Sequence, residues 1–452
     1  MKPWLSLPPL WRTFLVFLGP MILSNILQAL SGTLNNIYLG QMLGVGALAA
    51  VAAFFPILFL FISFTIGLGA GASVMIGQAY GAQKLETVKA VAGTTLTVAM
   101  LFGAVVAIFG GTFTGAILKA VGTPANILTD ATEYARIMLI AMPGLFVFLL
   151  MTSMMRGVGD TVTPLYALAI STATGLLVTP ALIRGWFGLP RLGIASGAYA
   201  SILSFLIALA WLFFYMRRRK HPLAPDAVLI RHLRIDGKLL VSVLKIGIPS
   251  GVQLVLVSLA EIAVLALVNS FGSDATAAYG TVNMVINYVQ FPAISIAITV
   301  SILGAQAIGA GRAAALGIIT RTGIQLSLII TGGLVAICYL FSRTLIGFFI
   351  TSEPVIELAQ TLLHIVLWGY IIFGMSSVLA GVMRASGTVL MPTLISIVAI
   401  VCIEVPVAYG LSGHFGINGV WAAYPIAYIA MLAMQASYYR FVWRKKSIQK
   451  MV

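Results

Sequence analysis

Twelve long apolar runs dominate this 452-residue chain and leave few folds open to it. They lie at roughly 13–39, 46–77, 90–118, 132–155, 164–185, 193–216, 242–270, 274–306, 318–342, 355–383, 392–411 and 416–439. A helix of about 20 apolar residues crosses the hydrocarbon core of a bilayer, and several runs exceed that length, which predicts tilted or projecting helices. The alternating ten-residue segments of a membrane β-barrel do not occur. In lipid the backbone must satisfy its own hydrogen bonds, so the expected fold class is an all-α membrane protein with twelve transmembrane helices. Charge agrees. Only 8% of the residues are charged, against about 25% in soluble domains, which excludes a soluble enzyme, a secreted module or a disordered tail. The first run is too long for a signal-peptide core and no small-x-small site follows it, so it is expected to be retained as a span.

The 26 basic residues against 11 acidic ones leave a net charge of +15, a value compatible with a nucleic-acid partner until the positions are inspected. With both termini on one side, 21 basic residues share that side: Lys2, Arg12, Lys84, Lys89, Arg156, eight between Arg217 and Lys245, Arg312, Arg321, Arg384, and five between Arg440 and Lys450. Lys119, Arg136, Arg184, Arg191 and Arg343 fall on the other. Basic residues mark the cytoplasmic side of spans, so both termini are expected in the cytoplasm, and the excess charge points to the lipid bilayer and not to nucleic acid. Cys338 and Cys402 lie in apolar runs, and His221, His232, His364 and His414 are scattered. Neither set has the spacing of a disulfide framework or a metal site, so no metal and no cofactor are expected.

The chain repeats itself at an offset of 228 residues. Met155-Arg156-Gly157-Val158-Gly159-Asp160 with Pro164 corresponds to Met383-Arg384-Ala385-Ser386-Gly387-Thr388 with Pro392. Gln78-Ala79-Tyr80-Gly81 corresponds to Gln306-Ala307-Ile308-Gly309, and Gly44 with Ala49-Ala50 to Gly272 with Ala277-Ala278. Six spans return the chain to its starting face, so the repeats run parallel, related by an axis along the membrane normal. This predicts two six-helix lobes, 1–216 and 242–452. The basic linker between them, 217–241, opens with Arg217-Arg218-Arg219-Lys220. It is either a cytoplasmic connection whose charges hold topology or a docking site for anionic lipid.

These features resemble the MATE (multidrug and toxic compound extrusion) family. The resemblance rests on twelve spans in two lobes, Gly247-Ile248-Pro249 at the seventh span, the loop from Met155 to Pro164, and Ile76-Gly77-Gln78-Ala79-Tyr80-Gly81-Ala82 after the second span. It covers essentially the whole chain. It implies ion-coupled export of bulky, often cationic compounds by alternating access through a central cavity between the lobes, in the cytoplasmic (inner) membrane of a bacterium, with a proton or sodium as the coupling ion. A small organic substrate and a monomeric state are expected. In two places the sequence departs from the pattern: where the family places acids in the first and fifth spans, this chain has Asn35 and Thr179. The family's N-lobe coupling mechanism therefore does not carry over. Two alternatives stay open, a flippase for a lipid-linked precursor of the same superfamily and a non-transporting membrane scaffold.

Of the eleven acids, nine lie in loops or at span ends, which leaves Glu261 and Glu404 within the body of apolar spans. A carboxylate at mid-bilayer costs about 2.5–3.5 kcal/mol on insertion scales, which makes such residues functional candidates by default, and these two are the expected ion-coupling or cation-binding groups. The alternative is a protonated carboxyl bonded to a neighbouring helix. At 100° per residue, Asn25, Gln28, Gly32, Asn35 and Asn36 form a stripe on the first helix and Asn283, Asn287 and Gln290 one on the eighth, with Gln253 on the side of Glu261. Such stripes line a water-filled cavity or pack between helices. Tyr288, Trp368 and Tyr370 offer aromatic faces for an organic cation or serve as packing. His364 either titrates or is a satisfied core histidine. Arg156 and Arg384, at matching turns, either brace a gate or anchor topology. The run Gly67-Leu68-Gly69-Ala70-Gly71-Ala72-Ser73 lacks the Lys of a phosphate loop and reads as close helix packing. No Walker motif and no nucleophile–base pair appear, so the chain is not expected to be an enzyme.

Overall fold

A computed structural model describes residues 10–452; Lys2, counted above, lies outside them. Among the described residues every regular element is helical. Ten helices are long and apolar enough to span a membrane, and two bent helix pairs bring the number to twelve when each pair counts as one span. The first half of the chain contains α1 (Leu10–Leu43), α2 (Val45–Gly81), α3 (Leu85–Val105), α4 (Gly111–Ala120), α5 (Leu128–Ile140), α6 (Met142–Gly157), α7 (Val162–Arg184) and α8 (Ala195–Arg218). The linker carries α9 (Ala227–Arg231). The second half contains α10 (Gly237–Asn269), α11 (Ser273–Gly309), α12 (Leu316–Leu340), α13 (Ser342–Gly347), α14 (Glu353–Val366), α15 (Gly369–Ala385), α16 (Leu390–Ile397), α17 (Val405–Phe415) and α18 (Ile417–Phe441).

The duplication is visible in the backbone. Residues with left-handed φ recur at the same offset of 228: Gly44 and Gly272 (94° and 105°), Gln83 and Gly311 (62° and 74°), Gly159 and Gly387 (91° and 79°), Gly188 and Gly416 (76° and 60°). The bent pairs also correspond, α5–α6 bending by 56° and α14–α15 by 40°. In the first, Pro143 has no N–H for the Leu139 carbonyl, and its ring crowds the preceding turn. In the second, Gly369 occupies the break, pressed so close to α18 that a Cβ would lie 3.1 Å from the Tyr428 ring.

By contacts the chain forms two compact units, and their boundaries fall inside helices instead of in the linker. One unit is Leu23–Ile248; the other is Pro249–Val452 with the described residues through Ile22. Both boundaries lie within two residues of a helix-interior proline, Pro20 in α1 and Pro249 in α10. In the unit Leu23–Ile248, α2 packs on α6 and α3, and α7 on α8. The glycine run of α2 does what close packing requires: a Cβ at Gly71 would lie 2.3 Å from the Val243 carbonyl oxygen and one at Gly69 2.9 Å from Ser153 Oγ. Small residues let helix backbones approach where lipid supplies no hydrophobic drive between helices. In the other unit α11 is the central helix, packed on α15, α12 and α14, with α18 against α15 and α17. There Phe14 reaches Gly323, and Thr299 Oγ1 lies 3.7 Å from Met21 Sδ.

The repeated loops after α6 and α15 are held by the segment that closes their own half. Asp160 caps α7, accepting from the amides of Val162 (3.1 Å) and Thr163 (2.9 Å), and meets His221 Nε2 of the linker at 3.4 Å. Thr388 stands at the corresponding position. Its loop is tied instead through Ser386, whose Oγ accepts from Trp443 Nε1 at 3.0 Å. Burial alone would raise the Asp160 carboxyl, but the hydrogen bonds from His221 and Thr163 outweigh it and hold the group below its ordinary value.

Candidate functional site

Glu261 and Glu404 belong to the same unit and lie within each other's electrostatic reach. Glu261 is exposed on α10, whereas Glu404 is only 2% exposed. The chain delivers Glu404 through a seven-residue π segment, Val398–Glu404, immediately before α17. An i→i+5 turn carries one residue more than an α-turn and re-aims the side chains beyond it, and such turns recur at functional positions. Pro406, two residues on, supplies no N–H to the preceding turn, so the distortion is built into the sequence.

Four buried tyrosines complete the cluster: Tyr279 on α11, Tyr370 on α15, and Tyr424 and Tyr428 on α18. The Tyr279 and Tyr424 hydroxyls are 3.0 Å apart, Asn283 hydrogen-bonds Tyr279, and Tyr370 bonds Tyr428. Glu404 interacts electrostatically with all four hydroxyls, and Glu261 with Tyr279 and Tyr370. Packing holds the rings in place. Tyr279 stacks on fully buried Trp421, with centroids 5.8 Å apart and planes at 11°, and Tyr370 meets Tyr428 edge-on at 5.3 Å. Two carboxylates with phenolic and amide oxygens form a set of hard donors in one unit. Its chemistry suits a proton held on a carboxyl or a small alkali cation, not a soft transition metal. No group of three or more His, Cys, Asp or Glu side chains comes together among the described residues.

The unit Leu23–Ile248 holds a cavity of about 200 Å³ with a different character. It is lined by Gln28, Asn35, Tyr38, Ser171, Thr172 and Thr179 beside Phe148 and Phe205, and no lining residue is charged. Asn35 and Thr179, the two positions where acids were expected from the family pattern, thus face one space. Tyr38 spans it, its hydroxyl 3.4 Å from the Leu176 carbonyl oxygen.

The other expected residues fall in several places. Of the α1 stripe, Gln28, Gly32 and Asn35 line this cavity, while Asn25 and Asn36 are not among its walls. On α11 only Asn283 joins the carboxylate cluster; Asn287 and Tyr288 are exposed and Gln290 half-buried, as is Gln253 on α10. No hydrogen bond ties these four to the cluster among the described residues. Trp368 is 40% exposed at the α14–α15 break, its amide donating to the Tyr339 hydroxyl at 3.2 Å. His364 is satisfied, with Nε2 3.2 Å from Ser342 Oγ. Arg156 donates from Nε to the Thr152 carbonyl at 3.2 Å, whereas Nε of Arg384 is buried without a hydrogen-bond partner among the described residues. Sequence reasoning missed Tyr279, Tyr424 and Tyr428. The available signal was the spacing of Trp421, Tyr424 and Tyr428, which puts three aromatic groups on one face in the body of a span instead of at its ends.

A repeated helical architecture with up to twelve spans defines a multi-pass membrane protein built of two parallel repeats. The family comparisons specify it: the MatE family model matches residues 20–181 and 249–410, one match in each repeat, and the chain belongs to this family of MATE transporters. It is 47% identical over 449 residues to the probable multidrug resistance protein YoeA of Bacillus subtilis, covering 99% of this chain and 97% of that protein. It is 21% identical to the multidrug export protein MepA of Staphylococcus aureus, over 91% of this chain and 89% of the other. Among solved structures, the D35N mutant of the Vibrio cholerae MATE transporter VcmN superposes with a TM-score of 0.89 at 20% identity, covering 97% and 98% of the two chains. An outward-facing multidrug resistance MATE family transporter superposes at 0.87 and 20% identity with 95% coverage of both chains.

Proposed function

We propose that the protein exports bulky, cationic organic compounds by proton or sodium antiport with alternating access, and that its ion coupling resides in the C-terminal half alone. One observation carries this reading. Glu261 and Glu404, the carboxylates within the body of spans, lie in one unit with four buried tyrosines, while the other unit's cavity presents Asn35 and Thr179 and no charged wall. A carboxyl that alternates between protonated and ionised states, or that binds and releases sodium, converts an ion gradient into conformational work because the two states differ in the charge they must keep solvated. The uncharged cavity would accept the substrate's apolar and hydrogen-bonding surface without contributing to coupling. The distribution of Lys and Arg supports a cytoplasmic placement of both termini in the inner membrane, and a monomer suffices for the scheme.

Resistance of expressing cells to toxic organic cations tests the assignment. Glu261→Gln keeps size and hydrogen bonding but cannot ionise, and cells carrying it should lose resistance at unchanged protein level. Glu404→Gln should do the same. Resistance equal to wild type in both variants would remove the carboxylates from the mechanism.

A further inference from the structure

The linker is a folded part of its unit, not a loose tether. Lys89 of α3 pairs with Asp226, which also caps α9 by accepting from the amides of Val228 (3.1 Å) and Leu229 (2.9 Å). Thr94 Oγ1 donates to the Arg234 carbonyl at 3.1 Å. Gly93 lies so close to the linker that a Cβ there would sit 2.2 Å from the His232 carbonyl oxygen. The linker folded over α3 borders an open hollow of about 950 Å³ beyond the end of α8.

The charges around this space do not balance. Of its two acids, Glu86 meets His232 at 3.7 Å and Asp226 is taken by Lys89. Arg217, Lys220, Arg231 and Arg234 also line it, and among the described residues none of the four pairs with a carboxylate. Clustered cations repel one another, so a fold that gathers five Lys and Arg side chains against two carboxylates around one hollow is electrostatically suited to an anion. Topology alone would be served equally well by cations spread along the linker. Apolar side chains adjoin them, since Leu85, Pro222, Ala224 and Val228 line the same space. Free phosphate needs no such neighbours, whereas a lipid offers a headgroup to the cations and glycerol and acyl carbons to the apolar residues.

We propose that this pocket binds the phosphate headgroup of an anionic phospholipid, with Arg217, Lys220, Arg231 and Arg234 as its ligands. The full-length protein, purified in neutral detergent and titrated with phosphatidylglycerol or phosphatidylcholine, is read by native mass spectrometry for bound lipid. Wild type should retain phosphatidylglycerol in preference to phosphatidylcholine. Removing two of the four cations, as in the double variant R231Q/R234Q, should weaken that retention about thirtyfold, and R217Q/K220Q, on another element, should do likewise. The double variant R444Q/K445Q removes the same charge from exposed residues outside the pocket and should bind as wild type does. Inorganic phosphate at matched ionic strength should not displace the lipid. Equal retention by wild type and both pocket variants would overturn the site, an equal loss in R444Q/K445Q would reduce it to bulk charge, and displacement by inorganic phosphate would overturn the lipid assignment.

Discussion

Gln83 is a non-glycine residue at a left-handed position, φ 62°, whose repeat partner is Gly311. A side chain there costs about 1 kcal/mol relative to glycine. Gln83→Gly is therefore expected to raise the thermal midpoint slightly, while Gly159→Ala, at φ 91° in the loop after α6, lowers it; circular dichroism in detergent measures both. Asp160 has a larger effect, since it caps α7 and meets His221. Asp160→Ala should cost about 1–2 kcal/mol. The folded carboxyl titrates below its unfolded value, so its contribution is complete above the ordinary carboxylate pKa of about 4 and fades as pH falls through the lower folded value. The stability gap between wild type and Asp160→Ala should narrow on acidification below that range. A gap constant with pH would show that the charge of Asp160 contributes nothing. The motif containing Asp160 was legible in the sequence, but its partner was not, because His221 lies 61 positions away and no local periodicity links the two.

At the scale of elements, the unit boundaries near Pro20 and Pro249 mark the two helices that change unit along their length. A helix-interior proline removes one backbone hydrogen bond and eases bending at that point. Replacing either with alanine should stiffen the helix, raise the unfolding temperature and slow transport while leaving expression intact; unchanged turnover in both variants would show that neither helix bends during the cycle. Helix number and position were legible from apolar length alone, and the repeats from three short motifs at one offset. The breaks were less so. Each bent pair was read as a single span, 132–155 and 355–383. Pro143 marks the first, but nothing in local sequence marks the second, where the break depends on Gly369 meeting α18. The π segment leading to Glu404 was likewise invisible to a 3.6-residue period, although Pro406 hinted that the preceding turn was irregular.

For the molecule as a whole, duplication has preserved backbone and topology while the chemistry of the halves has diverged. One unit concentrates two carboxylates and four tyrosine hydroxyls, and the other keeps an uncharged cavity at Asn35 and Thr179. The scarcity of acids in the sequence already pointed to Glu261 and Glu404. Their tyrosine surroundings emerged only with the fold, because α10, α11, α15 and α18 contribute one or two groups each from distant parts of the chain. The central claim, that coupling resides in the C-terminal half, is tested most directly in proteoliposomes by movement of a fluorescent organic cation under an imposed proton or sodium gradient. Wild type and Asn35→Gln should both show gradient-driven movement, and Glu261→Gln should show none beyond protein-free vesicles. Gradient-driven movement in Glu261→Gln at the wild-type rate, or its loss in Asn35→Gln alone, would contradict the account.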